Sequence, residues 1–329
     1  MTGLSQNRKG AINGGTFSKT NGKNKRCRVY KRQHSEKLMT VCIAAIADAN
    51  TESPKIVFAA DRLVSSWVNF ESGVPKIRGL TNYAFVFIAT NNAPIANGII
   101  LRVEEQIKSF SGKKLTVEQI VQLISKECKN KLDGERERYV LSPFGLTYDE
   151  FIKKSKDMLK ELANVIMVNL CNFEDNDYEF EAEFMLIGIE EKPSIYIINQ
   201  KGEFTPSDYA GFATIGSGKY MAFPEITKFT YHPNVDMGQA LVRVYNSKKI
   251  AERVGGVGKE TDLGVLHLTK DKTVALWIAE VDVKNLLDKG IDDVKTQEMK
   301  IYTEVIKKLY DMFGKENGKN EQKENLKNN

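Results

Sequence analysis

The amino-acid sequence predicts an α+β protein in which antiparallel sheets are flanked by layers of helices. Runs of apolar, β-prone segments alternate along the chain with pairs of segments that have helical spacing. Strands that follow one another directly tend to pair as antiparallel neighbours, whereas a regular strand–helix–strand repeat would predict a parallel sheet. The sequence contains no such alternation and no short internal repeat. These observations favour a layered α+β architecture.

Short apolar runs bounded by polar turns predict the strands. The first two, 40–47 and 55–60, are joined by a polar turn, and the strand at 83–90 has the composition of a buried one. The remaining predicted strands are 179–189, 194–199, 210–215, 262–269 and 273–280.

Apolar residues at helical spacing, together with capping residues, predict the helices. Thr116 and Gln119 have the spacing of a capping box at the start of a helix that reaches about residue 132, and Asp236 is an N-cap candidate. Residues 133–146 are expected to be irregular, with a turn at 142–145. The other predicted helices are 95–110, 147–170, a helix after Gly218, 236–253 and 294–313.

The chain of 329 residues can bury a large core, and its pattern shows no boundary between residues 39 and 313. We therefore expect one domain over 39–313, with a disordered basic leader or tail at 1–38 and a disordered polar tail at 314–329. Residues 1–38 carry ten Lys and Arg against one acid, a charge of +9, which leaves −4 for the other 291 residues. The basic segment could contact phosphates of a nucleic acid, be removed as a leader, or follow from an over-extended start codon. The mildly acidic body gives no reason to expect nucleic-acid binding.

Several classes of function lack support in the sequence. No apolar run approaches the length of a membrane helix, and no apolar segment of a secretory signal follows the basic N-terminal residues. The four cysteines form no C-x-x-C pair, and Cys42 is expected to be a core residue, so a reducing cytoplasm is predicted. The three histidines are scattered, and the Gly216-Ser217-Gly218 turn lacks the rest of a phosphate-binding motif, so neither a metal nor a nucleotide cofactor is expected.

Three residues at the ends of predicted strands have the chemistry of an activated nucleophile. Thr40 opens the first strand, Asp61 closes the second, and Lys76 follows about fifteen residues later. A threonine hydroxyl is a weak nucleophile unless a base takes its proton. If Thr40 were the first residue, its own α-amine could be that base, with Lys76 as the nearby cation and Asp61 as the group that holds it. Each residue also has a structural interpretation: a strand residue, a salt-bridge partner and a solvated lysine, respectively.

Four segments give the chain a resemblance to the proteasome β-subunit family of N-terminal-nucleophile hydrolases. They are Thr40-Val-Cys-Ile-Ala, Val57-Phe-Ala-Ala-Asp61-Arg62, Lys76-Ile77 and Thr214-Ile-Gly-Ser217-Gly218, in the family's order and at roughly its separations. Met39-Thr40-Val-Cys42 is similar to the start of the Met-Thr-x-Cys bacterial and archaeal type. The resemblance implies a four-layer αββα sandwich with Thr40 as nucleophile, Asp61 and Lys76 as its partners, and Ser217 beside it. It further implies a homo-oligomer that acts on a peptide or small amide; it does not identify an unfoldase partner.

The function predicted from these residues is metal-free hydrolysis of peptide or amide bonds by a cytoplasmic threonine peptidase. It requires a free amine on Thr40, obtained either by translation from Met39 and trimming or by self-cleavage of a leader. Two alternatives remain: a catalytically inactive proteasome-like subunit that serves assembly or binding, and a non-peptide amidase on the same fold.

Two departures from the family's pattern bear on catalysis. In the loop after the predicted helix 236–253, the family often carries an Asp and a Ser near the nucleophile, and this chain has Val254 and Val257 there. Thr261 or Asp262 could take the place of these polar residues in space. Thr90 stands in place of a glycine whose N–H serves the oxyanion, and its side chain is expected to narrow the cleft.

Overall fold

The computed structural model describes residues 40–64, 70–71, 76–110, 114–176, 178, 180–228, 230–268 and 273–278, with four further helical positions at 296, 300, 304 and 307. All of these residues belong to one unit of the chain, Glu36–Asn329. The predicted tails at 1–38 and 314–329, and most of the predicted helix at 294–313, lie outside the described residues.

Twelve strands and six α-helices are present in the described part of the chain. In chain order, the strands are β1 Cys42–Ala47, β2 Lys55–Asp61, β3 Leu63–Val64, β4 Phe70–Glu71, β5 Ile77–Gly79, β6 Ala84–Thr90, β7 Ala182–Ile189, β8 Pro193–Asn199, β9 Phe204–Pro206, β10 Phe212–Ile215, β11 Thr261–Leu268 and β12 Thr273–Trp277. The helices are α1 Ala93–Ser109, α2 Val117–Arg136, α3 Tyr148–Lys154, α4 Lys160–Asn176, α5 Lys219–Thr227 and α6 Met237–Ala251.

Ten of these strands form two antiparallel sheets. The first sheet has the order β10-β1-β2-β11-β12, and the second has the order β5-β6-β7-β8-β9. Strands β3 and β4 form a separate two-stranded ribbon. In the first sheet, β1 and β2 are joined by a short turn, and their register sets Cys42 opposite Ala60. The first residues of β1 therefore lie beside the last residues of β2.

The two sheets pack face to face, and helices cover their outer faces. Even-numbered residues of β1 and β2, such as Ala44 and Phe58, meet Phe87 and Met185 of the second sheet in one buried cluster. Odd-numbered residues of the same strands pack against α5 and α6. The outer face of the second sheet packs against α1 and α2. This arrangement confirms the prediction of an α+β protein with antiparallel sheets flanked by helices.

Strands β1 and β2 are continuously apolar because both of their faces are buried. Every residue from Cys42 to Ala47 is buried, as is every residue from Ile56 to Asp61. A strand with one solvated face would alternate apolar and polar residues, and these two do not. Strands β1 and β2 therefore lie between the second sheet and the helices α5 and α6.

Side-chain caps start the helices where the sequence predicts them. The Thr116 hydroxyl accepts the Gln119 N–H at 3.1 Å, and the Gln119 side chain accepts the Thr116 N–H at 2.9 Å, which confirms the capping box. Asp236 caps α6 by accepting the Gln239 N–H at 3.0 Å. No helix in the part of the chain described is both long and apolar enough to cross a membrane.

The prediction of a single helix over 147–170 is wrong. The structure has α3 and α4 in its place, with a break at 155–159. Phe151 of α3 and Ile166 of α4 lie in the same buried cluster, together with Leu132 of α2. In a straight helix the 15 steps from Phe151 to Ile166 would span about 22 Å, so the break lets both side chains reach one core.

The prediction that residues 133–146 are irregular is correct only in part. Helix α2 continues to Arg136, and a π-helical turn at 137–141 and a short 3-10 turn at 142–144 follow it. Gly145 ends this run with a φ of +66°, in agreement with the turn predicted at 142–145.

Replacement of Gly264 by alanine is expected to lower the free energy of unfolding by about 1–3 kcal/mol, the usual range for overpacking a core. A Cβ on this β11 residue would lie 2.5 Å from Cζ of Phe58, which is fully buried between the sheets. Gly134→Ala is the matched control, because a Cβ at this exposed position in α2 meets no atom within 4 Å. The control should raise stability by up to about 1 kcal/mol through helix propensity. Urea denaturation of both variants measures the difference, and equal midpoints would contradict the packing described here.

Candidate active site

The ends of β1, β2 and β5 bring Thr40, Asp61 and Lys76 together. Thr40 lies two residues before β1, and the Asp61 N–H donates to the Val41 carbonyl at 3.2 Å, so the antiparallel register sets Asp61 beside the start of the chain's first strand. Lys76 immediately precedes β5, where its carbonyl accepts the Ile88 N–H at 3.0 Å. Residues separated by up to 36 positions in sequence thus share one end of the layered core.

The three side chains form a closed set of hydrogen bonds around the carboxylate of Asp61. Its Oδ1 accepts from the Thr40 hydroxyl at 2.5 Å, from the Val41 N–H at 2.9 Å and from the Lys76 ammonium at 2.9 Å. Lys76 Nζ also donates to the Thr40 hydroxyl oxygen. The second oxygen, Oδ2, accepts the Gly258 N–H at 3.0 Å. The sequence-predicted residues Thr40, Asp61 and Lys76 are therefore in direct contact.

The three side chains of this cluster are largely removed from water, which strengthens the electrostatic interactions between them. Thr40 is 3% exposed and Asp61 is 0% exposed, while the Lys76 side chain is 12% exposed. A carboxylate without access to water needs a cation and hydrogen-bond donors to remain charged. Lys76 supplies the cation. Its Nζ contacts the Thr40 oxygen as well, so the same charge can stabilise a developing alkoxide.

The Cys42 thiol lies close to the cluster but does not have the chemistry of a nucleophile. It is fully buried, and this burial raises the pKa of the Cys42 thiol far above its ordinary value, although the charge of Lys76 acts in the opposite direction. A thiol that stays protonated is unreactive. Its packing in the core between the sheets confirms the expectation that Cys42 is a core residue.

The Gly216-Ser217-Gly218 turn holds the backbone of Thr40. The Gly218 N–H donates to the Thr40 carbonyl at 3.0 Å. Gly216 has a φ of +84°, and a Cβ there would lie 2.4 Å from the Thr40 carbonyl oxygen. Ser217, the fourth predicted site residue, lies between these two contacts, but its buried Oγ has no hydrogen-bond partner among the described residues. The turn therefore reaches Thr40 through its backbone.

A carboxylate that sequence reasoning missed fixes this turn from the second sheet. Glu183 of β7 accepts the Gly216 N–H through Oε2 at 2.8 Å and the Lys219 ammonium through Oε1. The only sequence signal is an acid inside the otherwise apolar run Ala-Glu-Phe-Met-Leu-Ile. Such a residue is unusual in a buried strand unless it is paired.

The loop after α6 contacts both Asp61 and the glycine turn. The Gly258 N–H donates a hydrogen bond to Oδ2 of Asp61. On the side of the glycine turn, Cγ2 of Val257 packs so close to Gly218 that a Cβ on this glycine would lie 3.1 Å from it. Val257 is thus a packing residue, in agreement with the departure from the family's pattern noted at this position. Asp262, an expected substitute, accepts two hydrogen bonds from Arg62 at 2.8 and 2.5 Å.

The Thr90 hydroxyl takes part in the turn between β6 and α1. It donates to the Glu181 carbonyl at 2.9 Å and accepts the Asn92 N–H at 3.0 Å. These bonds give the Thr90 side chain a structural role at the strand end. Narrowing of a cleft by this side chain stays a prediction.

The described residues do not bring together any group of three His, Cys, Asp or Glu side chains that could hold a metal ion. In comparisons with known proteins, neither a protein-family model nor a curated protein matches the chain.

Replacement of Gly216 by alanine is expected to lower the free energy of unfolding by about 1–3 kcal/mol, the cost of one residue held in a disfavoured backbone region. The positive φ and the contact with the Thr40 carbonyl both oppose a side chain here. Gly255→Ala provides the control, since a Cβ at that exposed glycine meets nothing within 4 Å. Thermal unfolding of both variants tests the difference. A variant at position 216 as stable as the control would show that the turn does not constrain Thr40.

Proposed function

We propose that this protein is a threonine hydrolase of the proteasome β-subunit-like N-terminal-nucleophile type, which cleaves peptide or amide bonds with Thr40 as nucleophile. One observation carries the proposal: the Thr40 hydroxyl lies between a buried carboxylate and an ammonium, in hydrogen-bond contact with both. A threonine that served only as a strand residue would not need a charged pair at its hydroxyl.

The architecture supports the same proposal. The order of layers is α1 and α2, the second sheet, the first sheet, then α5 and α6. This order of layers supports the four-layer αββα arrangement that the sequence resemblance implies. The glycine turn and the strand ends also meet at Thr40, as the resemblance implies for the nucleophile.

The reaction begins when the α-amine of a released Thr40 takes the hydroxyl proton. Such an amine has a pKa near 8 in model compounds, so it is partly unprotonated and able to act as a base at neutral pH. The Oγ atom attacks the substrate carbonyl, and Lys76 stabilises the negative charge on Oγ as it forms. The amine proton then passes to the leaving nitrogen, and the C–N bond breaks to give an ester on Thr40. Water hydrolyses that ester and restores the hydroxyl.

Asp61 has a positioning function in this scheme. Its Oδ1 accepts hydrogen bonds from both Lys76 and Thr40, so it fixes the distance between the cation and the hydroxyl oxygen. The carboxylate also gives the Lys76 ammonium a hydrogen-bonded partner of opposite charge in a largely buried site. Ser217 is a candidate to orient the amine or a water, because its Oγ is buried beside the turn and unpartnered within the described part of the chain. Homo-oligomerisation and a cytoplasmic location stay predictions.

The first test is the mass of the purified protein. If Thr40 supplies the base, the active chain must begin at Thr40, because a peptide bond to Met39 leaves no amine to act as one. Intact-mass spectrometry is expected to show a chain without residues 1–39. Retention of Met39 in a preparation that hydrolyses no peptide would favour the alternative, a catalytically inactive subunit that serves assembly or binding.

The second test is the replacement of Lys76 by methionine and of Thr40 by alanine. Both changes should lower kcat for a fluorogenic peptide amide by about a thousandfold or more, since loss of a nucleophile or of a group that stabilises its charge has effects of this size. Lys55→Met is the matched control. Lys55 also pairs with an aspartate, Asp48, at 2.8 Å, but at the opposite end of β2.

The control should retain wild-type kcat, and circular dichroism checks that all three variants fold. Equal losses at positions 55 and 76 would exclude a specific role for Lys76. Hydrolysis of a small amide without hydrolysis of any peptide would favour the second alternative, a non-peptide amidase on the same fold.

A further inference from the structure

Lys248 is a fully buried lysine in the last turn of α6. Its side chain is 0% exposed, and its Nζ donates to Oε1 of Glu252 at 2.6 Å and to the carbonyl of Lys259 at 2.7 Å. Burial lowers the pKa of the Lys248 ammonium, and the hydrogen bond and charge of Glu252 oppose that effect. Buried lysines are rare because the desolvated ammonium is costly, so this one calls for a reason.

The carbonyl that Lys248 holds lies next to the candidate active site. Lys259 follows Gly258, whose N–H donates to Oδ2 of Asp61 at 3.0 Å. The Gly258 N–H and the Lys259 carbonyl belong to the peptide groups on either side of the Gly258–Lys259 peptide, so the φ and ψ angles of these two residues relate their directions. A donor fixed on the carbonyl therefore restricts the amide that contacts Asp61.

Turn hydrogen bonds hold the loop from 252 to 259, such as that from the Val257 N–H to the Val254 carbonyl at 3.2 Å. Its Lys259 carbonyl accepts from two donors, Lys248 Nζ and the Thr261 hydroxyl, the latter at 3.4 Å. Residues 255, 256 and 258 are glycines, and Gly256 has a φ of +92°. Glycines allow many backbone conformations, so a loop rich in them needs tertiary contacts to stay in one. Val257, packed near Gly218, is one such contact, and the Lys248–Lys259 hydrogen bond is another.

We propose that Lys248 is a positioning residue for the reaction of Thr40. Through its hydrogen bond to the Lys259 carbonyl, it keeps the Gly258 N–H in its hydrogen bond to Oδ2 of Asp61. This bond sets the plane of the carboxylate, and that plane directs Oδ1 toward Thr40 and Lys76. Lys248 touches no reacting atom and acts only through the loop and Asp61. The inference rests on the proposed function for its effect on rate, but its structural part stands by itself.

Replacement of Lys248 by methionine tests the proposal, with Lys249→Met as the control. Methionine is close to lysine in length but cannot donate to the Lys259 carbonyl. Lys249 is the next residue, and it also pairs with Glu252, at 3.2 Å, but its side chain is 32% exposed. Both variants thus leave Glu252 with one lysine partner, and only the first removes the hydrogen bond to the loop.

The first readout does not depend on catalysis. In protein labelled with ¹⁵N-glycine, the amide signal of Gly258, identified by its loss in Gly258→Ala, should shift upfield in proton frequency in Lys248→Met as its bond to Asp61 weakens. The signal should stay in place in Lys249→Met. An unmoved Gly258 signal in a folded Lys248→Met protein would overturn the proposal.

The second readout is hydrolysis of a peptide amide. Lys248→Met should lower kcat by about tenfold to a hundredfold, the effect of a small misplacement of catalytic groups, with KM within about a factor of two. A loss that appears only in KM, or an equal loss in Lys249→Met, would contradict a role in positioning Asp61. If the wild-type protein hydrolyses nothing, the proposed function fails, and the Gly258 signal still decides whether Lys248 holds the loop on Asp61.

A third variant covers the case in which Lys248→Met does not fold. Lys248→Gln removes the charge but retains an N–H donor for the carbonyl, so it should recover part of kcat and part of the wild-type Gly258 shift. Failure of both variants to fold would show that Lys248 is needed for the fold itself, and would overturn a role confined to the site.

Discussion

The structure depends on one buried carboxylate, that of Asp61. A carboxylate removed from water is strongly destabilising unless a cation and hydrogen-bond donors replace the lost hydration. Here the replacements come from separate parts of the fold: the start of β1, the residue before β5, and the loop after α6. Each of these segments must reach its place for both Asp61 oxygens to have hydrogen-bond donors. The requirement thus fixes the geometry around the Thr40 hydroxyl.

The layered core explains why the site can be both rigid and partly accessible. Strands β1 and β2 are buried on both faces, so their positions are set by close packing against the second sheet on one side and α5 and α6 on the other. Their ends reach the edge of the core, where the Lys76 side chain retains some exposure. Thr40, two residues before β1, is thus held by the scaffold beside a partly exposed lysine.

Two polar contacts from outside the cluster support it on opposite sides. On the second sheet, Glu183 binds the backbone of the glycine turn that holds Thr40, and Lys219 pairs with the same carboxylate. On α6, Lys248 donates to the carbonyl of Lys259, the residue after the Gly258 that contacts Asp61. Both contacts act on glycine-containing segments, which have the least intrinsic preference for one conformation. Side chains of opposite charge thus contact glycine-containing backbone around Thr40 and Asp61.

The sequence by itself predicted β1 and β2 from their continuous apolar runs, and most of the helices from their spacing and caps, because these are local signals. The expected meeting of Thr40, Asp61 and Lys76 rested on their places at the ends of predicted strands and on the family resemblance. The sequence did not determine the break between α3 and α4, which follows from packing of two helices on one cluster. It also missed Glu183, Lys248 and the N–H of Gly258. The bond from Gly258 to Asp61 joins residues 197 positions apart, and no local pattern encodes such a contact. Only the tertiary structure decided these contacts, because the donor that satisfies a buried charge is chosen by which distant segment packs against it.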